Sequence, residues 1–237
     1  RQDLQTLSDY FTFKVPGAHF TPAYKNRYWD GKIRLANLRD NTIYAGLVQD
    51  IAKFSKDLDI QVEFEGTKSN MPGVEQNVSD KILDGFLDAL DPHSGGKKIQ
   101  MRDYQVEAFK EGVRKQRMLC LSPTASGKSL IIYALARWWR ETHDKKILII
   151  VPTINLVTQM MSDFIDYSQD KFHDMHGIMG GVDKNTDKRV VVSTWQSIHK
   201  KSAGYFAQFG SVLVDEVHHA QSKSIQSIMN KLVVCPD

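Results

Sequence analysis

Residues 121–139 read LSPTASGKSLIIYALARWW, and the fold turns on how this stretch is read. A short apolar run, MLCLS at residues 118–122, leads into the turn, and the residues after it carry apolar side chains at helical spacing. Strand, glycine-containing turn and helix in that order form a loop whose backbone N–H groups and positive helix end converge on an anion. In such a loop Thr124, Ala125 and Ser126 supply amides and Gly127 lets the backbone approach closely. Lys128 reaches the outer phosphates of a nucleotide, and the Ser129 hydroxyl is placed for Mg²⁺. The pattern G-x-x-x-x-G-K-[ST] is met only from Gly127 onward, because Ser122 stands where its first glycine is written. A strand-to-helix turn with a surface lysine accounts for the triplet as well, so a second motif has to decide.

Moving outward, short Val/Ile/Leu runs alternate with helical patterns: KILIIVP, INLVTQMMSDFIDY, RVVVSTW and SVLVDEV. Runs without polar alternation suit strands buried on both faces, so the expected fold is α/β, a parallel sheet with helices on both sides. The last run ends in Asp215 and Glu216, at the strand end where open α/β sheets collect ligand groups. Asp215 is the candidate holder of Mg²⁺, and Glu216 the candidate base that orients and deprotonates an attacking water. With Lys128 they make the expected catalytic set, and Ser129 and Asp215 the expected metal ligands.

The N-terminal third reads as a smaller α/β unit. DLQTLSDYFTF is helical in spacing, KIRLANL and IQVEFEG alternate as strands, and Asp30-Gly31 is a hairpin-turn signal. A short helix is expected from Ser79 to Leu90, and the Pro and paired Gly of DPHSGGKK read as a linker. The expected division is therefore residues 1–96, a small domain with its linker, and residues 97–237. Within residues 25–39, Lys25, Arg27, Lys32, Arg34 and Arg39 stand against Asp30 alone, interleaved with the rings of Tyr28 and Trp29 and next to Tyr24. Cations among aromatic rings suit phosphate neutralisation with stacking, which makes Lys25, Arg27, Trp29, Lys32 and Arg34 candidate DNA contacts. A solvated strand face over packed aromatics is the other reading.

The 237 residues carry a net charge of +3, with 41% hydrophobic and 25% charged residues, which is ordinary globular usage. No apolar run approaches a membrane span, so no membrane partner is expected. Two cysteines, Cys120 and Cys235, make neither a disulfide framework nor a metal-ligand spacing, and a reducing, cytoplasmic compartment is expected.

DEVH at residues 215–218, placed after the Gly-Lys-Ser loop, resembles the DExH box of the superfamily-two helicases and translocases. MRDYQVEA resembles the family's adenine-reading motif, which implies that Gln105 hydrogen-bonds the base and that Tyr104 or Arg102 packs against it. VPTINLVTQ, the pair Gly180-Gly181 and STWQS resemble motifs that touch the nucleic-acid backbone, which implies DNA contacts from Thr153, Gly181 and Thr194. His218 is implied to couple the nucleotide and nucleic-acid faces. Within that superfamily RYWDGKIRL, PTASGKS and KILIIVPT are similar to segments of the fork-remodelling helicases of bacteriophages, which act in the infected bacterial cell. The resemblance implies a RecA-like fold that uses ATP and Mg²⁺ and acts on branched or duplex DNA and on RNA–DNA hybrids. The activity implied is fork regression, branch migration and R-loop unwinding. It further implies a second RecA-like domain in the same polypeptide, and a gap in the sheet between the Gly-Lys-Ser strand and the DExH strand. An RNA-directed DExH helicase or a restriction-type translocase subunit would share these motifs. A non-motor module that senses nucleotide and binds DNA is the reading from another class.

Overall fold

The computed structural model describes residues 2–63, 76–123, 125–180, 183–217 and 223–233. It forms two compact units, Arg1–Gln76 with Lys115–Arg117, and Asn77–Arg114 with Met118–Asp237. The first holds helix α1 (Gln2–Tyr10), strand β1 (Thr12–Lys14), helix α2 (Pro22–Lys25), strands β2 (Lys32–Arg34), β3 (Ala36–Asn37) and β4 (Thr42–Ile43), and helix α3 (Val48–Asp57). β1 pairs with β2 and β3 with β4, both antiparallel. Tyr10, Phe11 and Phe54 pack ring against ring between α1 and α3.

The second unit continues with helix α4 (Asp80–Leu90), strands β5 (His93–Ser94) and β6 (Lys97–Lys98), helices α5 (Asp103–Lys115) and α6 (Lys128–Thr142), and strand β7 (Lys146–Val151). Helix α7 (Ile154–Tyr167), strands β8 (Met175–Ile178) and β9 (Val190–Thr194), helices α8 (Trp195–Ile198) and α9 (Ala203–Phe206), strand β10 (Phe209–Val214) and helix α10 (Lys223–Val233) complete it. Its sheet runs β10-β7-β9-β8, parallel throughout. Alternation along β7 explains the uninterrupted apolar run: Ile147, Ile149 and Val151 enter one buried cluster, and Leu148 and Ile150 enter the other. Each such side chain, fully buried, contributes about 1.5–3 kcal/mol. The expected RecA-like α/β architecture is present.

Several expectations are corrected. The units divide at Gln76/Asn77 and not near residue 96. Leu83 and Leu90 of α4 are buried in the second unit's core, and 93–98 closes a hairpin whose Gly95 amide donates to both Asp166 carboxylate oxygens. Residues 118–122 are not a strand, and Leu119 and Leu121 stand 63% and 88% exposed. β10 pairs with β7 alone among the described residues, and the 118–122 segment joins no ladder. Asp30-Gly31 is not a hairpin tip, because β2 pairs back to β1 and Thr21 caps α2 between them. KIRLANL is broken at Leu35, residues 60–63 are irregular, and the rest of IQVEFEG lies outside the described residues. No helix among the described residues is long and apolar enough to cross a membrane.

Candidate functional site

The loop before α6 turns through two left-handed residues, Ala125 at φ 62° and Gly127 at φ 77°. Gly127 is the N-cap of α6, so Lys128 and Ser129 occupy the first turn of a fifteen-residue helix, where amides have no helical partner. β10 delivers the acids from across the sheet, and the Asp215 amide donates to the Ile150 carbonyl at 2.9 Å, which seats the strand end against β7. The Glu216 amide then donates to Asp215 Oδ1 at 3.0 Å, and Glu216 itself sits at φ 54°. A left-handed glutamate is a strained conformation of the kind that clusters at functional sites.

Side chains 88 positions apart meet here: Lys128 Nζ donates to Glu216 Oε1 at 3.0 Å. Asp215 is half-buried, and its carboxyl is pushed above the usual range, first by burial and then by the charge of Glu216, with Lys128 pulling it down. One amine thus bonds Glu216 and acts on Asp215 through its charge alone. The Ser129 hydroxyl lies 2.7 Å from Tyr167 Oη at the end of α7, beside Asp163, whose carboxyl is raised by burial and lowered by its hydrogen bond with Ser129. Sequence reading passed over Asp163 and Tyr167, though their i,i+4 spacing puts them on one face of a helix.

The adenine-reading residues lie against the loop. Tyr104 Oη donates to the Ser126 carbonyl at 2.7 Å and accepts from Arg102 at 3.0 Å. Gln105 is buried and donates to the carbonyls of Ser126 and Gly127, so the amide implied to read a base is engaged with the loop. Ser126 is buried and its hydroxyl bonds that of Ser122, the residue standing in for the first glycine.

The candidate DNA contacts separate. Thr153 and Thr194 are N-caps, of α7 and α8. Thr194 is 3% exposed with its hydroxyl bonded to the Ser197 amide and hydroxyl, so it sets a helix start. Thr153 is exposed. In the first unit Lys25 and Arg27 are exposed, and Lys32 is half-buried. Trp29 donates its indole N–H to the Lys32 carbonyl at 2.8 Å, and Arg34 is held on Asp30 at 2.5 Å. Trp29 is therefore tied into the turn by its indole N–H. Thr124, Gly181 and His218 lie outside the described residues.

A parallel α/β sheet with a Gly-Lys-Ser helix start facing an Asp-Glu strand end defines the motor-domain class of the superfamily-two DExH helicases. The chain belongs to that class through the family described as type III restriction enzyme, res subunit, which matches residues 98–234. A second family, described as DNA helicase UvsW, N-terminal, matches residues 2–65. The chain is 38% identical over 233 residues to the ATP-dependent DNA helicase uvsW of Enterobacteria phage T4, covering 97% of this chain and 45% of that one. It is 31% identical over 166 residues to the DNA 3'-5' translocase XPB2 of Sulfurisphaera tokodaii, covering 69% and 33%. Two crystal structures of the T4 UvsW helicase superpose at TM-scores of 0.80 and 0.82, both at 37% identity over 99% of this chain and covering 83% and 47% of theirs. The chain spans less than half the length of either curated relative.

Proposed function

We propose that this chain carries the ATP-binding and ATP-hydrolysing half of a DNA-remodelling motor, acting on branched or duplex DNA and on RNA–DNA hybrids. The observation that carries the reading is the 3.0 Å contact of Lys128 Nζ with Glu216 Oε1, which puts the phosphate-holding amine and the proposed base in one site. Lys128 and the amides around Gly127 neutralise and orient the outer phosphates. Glu216 holds a water in line and takes its proton, while contact with the phosphates draws Lys128 away from it.

The donor set fits Mg²⁺. Asp215 is a half-buried carboxylate crowded by a second acid, and Ser129 offers a hydroxyl with acceptor capacity beside Tyr167. Asp215 and Ser129 would hold the ion, whose charge would offset that of the phosphates. The small N-terminal unit adds DNA affinity through Lys25 and Arg27, two of its exposed cations. A second RecA-like domain belongs to the proposed whole motor.

Thermal melting with saturating Mg-ATP tests the site. At a hundred times its dissociation constant a ligand stabilises by about 2.7 kcal/mol. Lys128→Ala is expected to abolish the shift. Glu216→Gln is expected to keep it while single-turnover hydrolysis drops about 10²–10⁴-fold. A Lys128→Ala variant that still melts higher with Mg-ATP would refute the reading.

A further inference from the structure

Ser129 and Tyr133 lie one turn apart on α6, and Asp163 and Tyr167 one turn apart on α7, so each pair shares a helix face. The two faces meet. Ser129 Oγ and Tyr167 Oη are 2.7 Å apart, and the Tyr133 and Tyr167 rings pack with their centroids 5.5 Å apart. Tyr133 is fully buried and its phenol oxygen accepts from Arg137 at 2.8 Å, so the ring against which Tyr167 lies is itself held in place. Asp163 takes a hydrogen bond from the Ser129 hydroxyl. A carboxylate only accepts and a serine has a single proton, so Ser129 gives that proton to Asp163 and accepts from the Tyr167 phenol. One lone pair of Oγ is then left over, and both of the bonds that orient it come from α7.

We propose that Tyr167 and Asp163 are positioning residues for the Ser129 hydroxyl, holding its remaining lone pair ready for the cation that accompanies the nucleotide. This rests on the nucleotide and metal reading above. A serine hydroxyl with no fixed partner rotates to suit its surroundings, and ordering it at the moment of binding subtracts from affinity. Here α7 orders it in advance, so that cost falls on folding and not on binding. The effect belongs to the cation. Lys128 is held through a separate contact, with Glu216, and the amine and loop amides meet the phosphates without help from α7. Loss of the Tyr167 oxygen therefore weakens nucleotide binding only where Mg²⁺ takes part.

Calorimetric titration with ATP, once in excess Mg²⁺ and once with a chelator in its place, tests this, and the ratio of the two affinities measures what the cation adds. Tyr167→Phe keeps the ring and its packing on Tyr133 and removes only the phenol oxygen. It is expected to cut that ratio about two- to tenfold and to leave metal-free ATP binding unchanged. Asp163→Ala is expected to act in the same direction. Asp163→Asn, whose amide oxygen still accepts the serine proton, is expected to keep the ratio within about twofold of the unaltered chain. In a Ser129→Ala background Tyr167→Phe is expected to change neither affinity. A Tyr167→Phe chain that loses affinity equally in both buffers has lost structure and not positioning, which overturns the inference. So does a ratio that stays put or rises, the latter making the phenol a competitor of the cation. If the unaltered chain binds ATP in neither buffer, or no better with the cation, the reading of the site itself fails and takes this inference with it.

Discussion

At the scale of single residues, backbone strain and charge pairing mark different places. Ala125 and Glu216 are left-handed residues on the two sides of one site, at φ 62° and 54°. A motif scan sees at 125 only one of the loop's unspecified positions, whereas the backbone shows that the alanine there is held in a conformation glycine adopts without cost. The strongest isolated charge effect is elsewhere. Arg34 holds the Asp30 carboxyl down from 3.8 to about 2, helped by the Lys32 amide. A depressed carboxylate adds stability above its unfolded value and loses it as pH falls through its folded value, here between 3.8 and about 2. NMR titration of the Asp30 carboxyl carbon is therefore expected to show a midpoint near 2, and Arg34→Ala to return it toward 3.8. A midpoint unmoved by that substitution would dissolve the pair.

At the scale of elements, the sequence is legible where one periodicity rules and silent where a neighbour decides. β7, β9 and β10 coincide with unbroken apolar runs, and α6 and α7 with helical spacing, because burial on both faces or on one stripe writes itself into composition. β8 carries no such mark. It is four residues long and contains Gly177, where an added Cβ would collide with the Met161 sulfur of α7, so glycine is there to admit a helix. MLCLS shows the opposite case: its composition is that of a strand, but strand pairing is supplied by a partner, and β10 lends it none. Thr194 shows a related ambiguity, since a hydroxyl at a strand end serves a cap or a phosphate and only the structure shows that this one caps α8. Thr194→Ala is expected to cost about 1 kcal/mol in urea denaturation, and Thr194→Ser almost nothing. Equal loss in both would assign the stability to the threonine methyl instead.

At the scale of the whole molecule, the chain combines two units of different character, and the candidate chemistry belongs to the second. The pairing of Lys128 with the DExH acids was readable from motif order alone, because both lie at ends of elements whose types were legible. The bonds of Gln105 and Tyr104 to the loop were not, since a side chain's partner is a matter of a few ångströms that no spacing encodes. β10 carries the same lesson to the backbone. It hydrogen-bonds on one flank only among the described residues, and the Asp215 amide points toward β7. Neighbouring residues of a strand face opposite flanks, so Ser211 and Leu213 share the protected side while Val212 and Val214 look outward. In deuterium oxide the strand should therefore label as a comb, every second proton fading early, on the order of tenfold or more ahead of its neighbours. The outward teeth of that comb lie immediately before the two acids, so any chain that later lay down along this flank would announce itself by silencing them.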